Sequence, residues 1–272
     1  MTRKSATADT AAKQFCSYCD HRGIIINPLY REMGENALLP CPKCIQNTCA
    51  CGGVDPYYFN DNGVIRECHC RSIRLKIDRI AVRYAQSGID RKYRWRFIND
   101  FQPVSKAAEA AKAAAYDIIM KFPDVRKGLF LWGNPGTGKT LLSAIILTEL
   151  IARSAIEGRF IKVSRTFFER LRATFREGSE SYGEAERIQQ ELAEADVLVI
   201  DDFGVQRDTP WEQETLYNLV DARYEAERFT IFTSNNNPFS ALKEFSDGRV
   251  LSRIKEMCRI IELAGADFRD KL

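Results

Sequence analysis

The apolar run GLFLW (128–132) is followed by Gly133-Asn134-Pro135-Gly136-Thr137-Gly138-Lys139-Thr140 and then by the helical stretch TLLSAIILTELIARSA (140–155). The octapeptide fits G-x-x-x-x-G-K-[ST] and lies where such a loop belongs, between a strand and a helix. Its glycines let backbone N–H groups turn inward as an anion nest, and the N-terminus of the following helix adds its positive end. Lys139 is placed to reach the β and γ phosphates, and Thr140 to offer an oxygen to Mg²⁺. A nucleoside triphosphate site, occupied by ATP with Mg²⁺, is therefore expected at these eight residues.

Reading outward, short apolar runs alternate with helical stretches: RFIKVS (159–164), VLVI (197–200), TIFTS (230–234) and RIIEL (259–263), with a helix near 211–227. Five strand-like runs joined by helices predict an α/β fold with a parallel five-stranded sheet covered on both faces. The run Val197–Ile200 ends in Asp201 and Asp202. At a strand end beside the phosphate loop, Asp201 is placed to hold Mg²⁺ through its water shell, and Asp202 to orient or deprotonate the attacking water. Two acids capping a turn before Gly204 is the simpler reading of that pair taken alone. Asn235, just beyond TIFTS, is a polar side chain at a strand C-terminus that can position water against a γ-phosphate.

The chain has 272 residues, 45% apolar and 28% charged, which excludes a disordered scaffold, a collagen-like rod or an all-helical coiled coil. Formal net charge is only +3, so evidence for a nucleic-acid partner must be local. No apolar run reaches the roughly 18 to 20 residues that span a bilayer, and MTRKSATADTAAKQF lacks a signal-peptide core. A cytoplasmic protein with no membrane partner is expected.

Eight of nine cysteines (Cys16, Cys19, Cys41, Cys44, Cys49, Cys51, Cys68, Cys70) precede residue 71, leaving Cys258 alone. In a reducing compartment such a set reads as metal ligands rather than disulfides, with zinc as the default ion. Two CxxC pairs and two CxC pairs make two closed, structural Cys₄ sites. Sequential sites (16/19/41/44 and 49/51/68/70) and a nested arrangement with 16/19/68/70 outside both fit the spacing, and an iron–sulfur cluster or a ligand role for His21 or His69 stays open. Four segments follow: a flexible tail (1–14), a zinc-stabilised module (15–70), a basic linker with helices (71–127) and the nucleotide-binding core (128–272). Within 71–96, nine basic residues face two acidic ones, with Ile73, Ile77, Ile80 and Tyr84 at helical spacing up to Gly88. Ser105 is positioned to cap an Ala-rich helix to Met120, ended by Pro123.

Together the phosphate loop, VLVIDDFG (197–204), the TSN at 233–235 and the late GRVLSRI…CRIIELAGADFR resemble the AAA+ ATPases of the DnaC/DnaI helicase-loader and IstB transposition-helper group, over roughly residues 71–272. The resemblance implies that Arg253 is an arginine finger completing a neighbour's ATP site, with Arg249 as its alternative, and that Arg269 is a second sensor. Two departures bear on activity. Asp202 stands where most AAA+ proteins have Glu, which suits a slow hydrolytic switch rather than a motor. Only three residues follow Arg269, which leaves no C-terminal lid and implies closure by a neighbour in an open or spiral ring. The group also implies single-stranded DNA contact through the helix in SRTFFERLRATFREGSES (164–181). There Arg170, Arg172 and Arg176 are interleaved with Phe167, Phe168, Leu171 and Phe175, and Arg172, Phe175 and Arg176 are the DNA candidates. Helix packing explains Phe168, Leu171 and Phe175 equally well. A loader of a replicative hexameric helicase, docking it through 15–70, is the leading expectation. An IstB-type helper that binds duplex DNA and recruits a transposase is the alternative, and a small-molecule kinase fits the TSN strand and late arginines poorly.

Overall fold

The structure is a computed structural model and describes residues 16–19, 22–27, 29, 37–163, 167–175, 183–204, 209–242 and 248–265. Arg176, Arg269 and His21 lie outside these residues. The chain divides into two compact units, Met1–Ala81 and Val82–Leu272.

In the first unit, β1 (Ile24–Ile26) pairs antiparallel with β2 (Leu38–Pro40). The Cys41 N–H donates to the Gly23 carbonyl at 2.7 Å, which brings the 16/19 and 41/44 segments together. A second hairpin joins β3 (Tyr58–Asp61) to β4 (Val64–Glu67). Its two-residue turn is Asn62-Gly63, both with positive φ (52° and 89°), which suits the right-handed twist of the strands. At the open end the Cys68 N–H donates to the Tyr57 carbonyl at 2.9 Å, so the hairpin returns the chain from Cys49 and Cys51 to Cys68 and Cys70. Cys19, Cys41, Ile45, Cys68 and Cys70 form the buried centre, with Tyr57, Phe59 and Ile73 packed against it. Helix α1 (Arg71–Ala85) starts directly after the last cysteine.

The second unit carries a five-stranded parallel sheet. Helix α2 (Lys106–Lys121) precedes it, N-capped by Ser105, whose hydroxyl accepts from the Ala108 N–H at 3.1 Å. Strand β5 (Gly128–Trp132), helix α3 (Lys139–Ser154) and strand β6 (Gly158–Lys162) follow. Helices α4 (Phe168–Ala173) and α5 (Ala185–Glu194) lead to β7 (Val197–Asp201). Then come α6 (Pro210–Glu225), β8 (Phe229–Ser234), the short α7 (Pro238–Ala241), α8 (Arg249–Met257) and β9 (Cys258–Glu262). The strand order is β6-β7-β8-β5-β9. All five predicted strands are present; of the three flanked by others, β7 and β8 are buried at every residue and β5 at all but Trp132, as expected of strands covered on both faces. The helix expected over 164–181 is described only at Phe168–Ala173.

Arg223 explains how the end of the sheet opposite the phosphate loop is held. Its side chain is fully buried, and Nη1 donates to the carbonyls of Leu192, Ala193 and Ala195 (2.7, 3.1 and 2.8 Å) at the C-terminus of α5. Nη2 donates to the Phe229 carbonyl at 2.7 Å and Nε to Thr230 Oγ1 at 2.9 Å. One guanidinium thus satisfies helix-end carbonyls that have no intrahelical donor and ties α5 to β8. Arg223→Met keeps the volume but leaves those acceptors buried and unmatched. Unfolding stability is expected to fall by about 3 kcal/mol or more, read from the denaturant midpoint; a fall below about 1 kcal/mol would contradict the staple.

Candidate nucleotide site and metal centres

The parallel sheet sends the C-terminal ends of its strands to one edge, where ligands bind in open α/β folds. The loop Gly133–Thr140 fills that edge between β5 and α3. Gly133, Gly136 and Gly138 have φ of 144°, 79° and 92°, a left-handed region that glycine enters without strain. Gly133 is also sterically committed, since a Cβ there would lie 2.3 Å from the Leu263 carbonyl oxygen. Lys139 is buried and its Nζ donates to the Gly133 and Asn134 carbonyls at 2.8 and 2.7 Å, folded back on the loop it would share with phosphate.

Asp201 is fully buried at the end of β7. Its Oδ1 accepts from Thr140 Oγ1 at 2.8 Å and from Thr233 Oγ1 at 2.6 Å. Its Oδ2 is buried with no hydrogen-bond partner among the described residues. Burial pushes this carboxyl above the usual carboxylate range, and the neighbouring Asp202 adds to the shift against the two threonine hydrogen bonds. An orphaned carboxylate oxygen beside the Thr140 hydroxyl is a donor set for a hard cation, so these residues fit Mg²⁺. Bound there with a nucleotide, the ion would supply charge neutralisation at the phosphates, held by Thr140 and Asp201.

Asp202 adopts φ 57°, and its N–H donates to Thr233 Oγ1 at 3.0 Å. Its Oδ2 pairs with Lys162 Nζ at 3.2 Å. Burial works against the lysine charge, but the Asp202 pair outweighs it and holds the ammonium above the usual lysine range. Asn235 is exposed just beyond β8, at the same C-terminal edge of the sheet as Asp201. Thr233 and Lys162 are functional candidates that the sequence reading passed over. Lys162 ends β6 and Thr233 stands one residue before the end of β8, but both strands carry other polar residues, Arg159 and Thr230, so the apolar pattern does not single them out, and Thr233 is marked only as the first residue of the TSN triplet.

Arg253 is held within the chain. Its Nε pairs with Asp221, Nη2 donates to the Tyr217 hydroxyl at 3.2 Å, and the guanidinium lies 5.1 and 5.5 Å from the Tyr217 and Tyr224 ring centroids. Arg249 sits 5.1 Å from the same Tyr217 ring. Of the DNA candidates, Arg172 pairs with the buried Glu212 and lies 6.0 Å from the Trp211 ring. Phe167, Phe168 and Leu171 are core residues, whereas Phe175 is 63% exposed and meets Trp211 edge-on. A cavity of about 460 Å³ beside β6 is lined by Arg159, Lys162, Arg170 and Arg187 together with Asp90 and Glu191.

The first unit gathers its thiols into Cys16/Cys19/Cys41/Cys44 and Cys49/Cys51/Cys68/Cys70, so the sequential pairing is the one formed. Sulfur separations include 3.8 Å for Cys16–Cys41, 3.6 Å for Cys19–Cys44, 3.7 Å for Cys49–Cys68 and 3.4 Å for Cys51–Cys70. A tetrahedral Zn²⁺ with bonds near 2.3 Å needs sulfur edges of about 3.8 Å. Both groups therefore fit zinc as closed sites. His69 is not in either group; its Nε2 lies 3.0 Å from Thr48 Oγ1.

A parallel five-stranded sheet with a glycine-rich loop on β5 and a carboxylate on β7 defines a P-loop ATP-binding protein of AAA+ type. Residues 96–272 match the model of the IstB-like ATP-binding proteins, and the chain belongs to that family. It is homologous to the replicative helicase loader DnaC of Escherichia coli K12, 32% identical over 123 residues, 45% of this chain and 48% of DnaC. It is also 27% identical over 190 residues to YdaV of the same organism, an uncharacterised protein, covering 69% of this chain and 72% of YdaV. A crystal structure of the DnaC helicase loader superposes with a TM-score of 0.56 at 25% identity, covering 64% of this chain and all of that one. The structure of AMPPCP-bound DnaA from Aquifex aeolicus shares the fold, with a TM-score of 0.51 at 18% identity over 66% of this chain and 53% of that one. Among the described residues no helix is long and apolar enough to cross a membrane.

Proposed function

We propose that the protein is an ATP-dependent loader of a replicative hexameric helicase. The nucleotide core assembles as a ring or spiral on single-stranded DNA, and the cysteine module of residues 15–70 docks the helicase. The observation that carries this reading is the Thr140–Asp201–Thr233 constellation in a chain homologous to DnaC. Asp201 would hold the magnesium ion, with Asp202 and Asn235 positioning water, and hydrolysis would be a slow switch because Lys162 occupies the Asp202 carboxylate. Arg253, with Arg249 beside it, would leave Tyr217 and Asp221 to act on a neighbouring subunit's nucleotide. Arg269 would serve as a second sensor, and Arg172, Phe175 and Arg176 would meet DNA.

The family match favours a second reading, an IstB-type helper that recruits a transposase on duplex DNA. Affinity purification of the full chain with ATP from its native host separates the two. Recovery of a hexameric helicase, lost when residues 15–70 are deleted, is expected. A transposase in its place, or helicase recovery indifferent to the deletion, would overturn the loader reading.

A further inference from the structure

The second thiol group is built against a cation. Arg74 lies one turn into α1, its N–H donating to the Cys70 carbonyl at 3.0 Å. Its guanidinium lies beside the second thiol group, where the Cys70 and Cys49 charges favour its own against the opposing effect of burial, and its Nε is buried with no hydrogen-bond partner among the described residues. The aromatic face of Tyr57 lies 5.7 Å from the guanidinium carbon. Gly53 makes room for this placement: with φ 77°, it would carry a Cβ 2.6 Å from Arg74 Nη2. The same centre abuts the start of α1, because the Arg71 N–H donates to the Cys68 carbonyl at 3.0 Å. A helix N-terminus presents partial positive charge to anions placed there.

Four thiolates around Zn²⁺ carry a net charge of about −2, and removing such a charge from water is unfavourable unless donors and cations face it. We infer that Arg74 is the built-in counter-cation of the Cys49/Cys51/Cys68/Cys70 centre and sets how firmly that centre retains zinc. Arginine suits the position because its planar guanidinium stays charged and stacks on the Tyr57 face, which a lysine ammonium on a flexible stem does not reproduce. Gly53 and Tyr57 are then the walls of a guanidinium slot. The inference rests on the zinc reading of the two Cys₄ groups.

The test uses the full chain. Zinc content per chain is measured first, and two ions are expected; a protein that holds none would sink the zinc reading itself. Release of zinc to excess chelator is then followed in the parent, R74M and R74K. In R74M one of the two ions is expected to leave about 10- to 100-fold faster, the usual consequence of losing a partner to metal ligands, while the other leaves at the parental rate. R74K is expected to fall between parent and R74M. ¹¹³Cd substitution supplies a readout independent of rate: two tetrathiolate resonances, of which R74M moves one. Parental release of both ions from R74M and R74K, or equal acceleration of both ions, overturns the assignment of Arg74 to this centre.

Discussion

Asp201→Asn is expected to lower ATP hydrolysis at least about 100-fold, close to 3 kcal/mol of transition-state stabilisation. Nucleotide binding measured without magnesium should stay within about threefold of the parent, because the phosphate nest is backbone. The Thr140 and Thr233 hydroxyls can still donate to the amide oxygen, so the local frame survives. What changes is Oδ2, the buried oxygen with no partner among the described residues, which becomes an N–H₂ that repels a cation. Stability should move the other way. Burial raises the Asp201 carboxyl, so the unfolded chain ionises it more readily than the folded one. The resulting destabilisation is absent below the unfolded value of 3.8, grows as pH rises towards the raised folded value, and is fully present above it. D201N without ligand should therefore melt no lower than the parent at neutral pH. Parental hydrolysis by D201N would remove Asp201 from the site, and a large drop in melting temperature would show that its role is to hold the fold.

Stripping metal with a strong chelator is expected to unfold the first unit and leave the second able to bind ATP through Lys139. The buried centre of that unit is four cysteines and Ile45, with few aliphatic residues to replace them. Structural zinc in small domains contributes on the order of 10 kcal/mol or more to folding, beyond what so small an apolar core supplies. Protease should then cut within residues 16–70 while a fluorescent ATP analogue binds as before. Loss of both properties together would contradict independent units.

The five strands were legible because buried parallel strands are unbroken apolar runs, and the phosphate loop because its glycines and lysine have few alternative uses. The cysteine pairing was not, since two arrangements satisfied the same spacing. The hairpin from Tyr58 to Glu67 decided between them by returning the chain onto Cys68. The aromatic-basic helix was ambiguous for a different reason. Phe168 and Leu171 obey core periodicity and are buried, while Arg172 is drawn to Glu212, a carboxylate 40 residues away that no local pattern connects to it. Arg253 was identified by family pattern, but its hold on Asp221 and Tyr217 depends on how α6 and α8 pack.

The Asn62-Gly63 turn has a bearing on how the second metal centre assembles. Closing a flexible segment on itself loses entropy that grows with its length, and Cys51 and Cys68 are separated by 16 intervening residues. Here a two-residue turn and a paired ladder shorten that search, since Tyr58 opposite Glu67 already sets the two cysteine pairs side by side. The backbone thus meets much of the closure requirement itself, and an arriving ion encounters a half-formed socket.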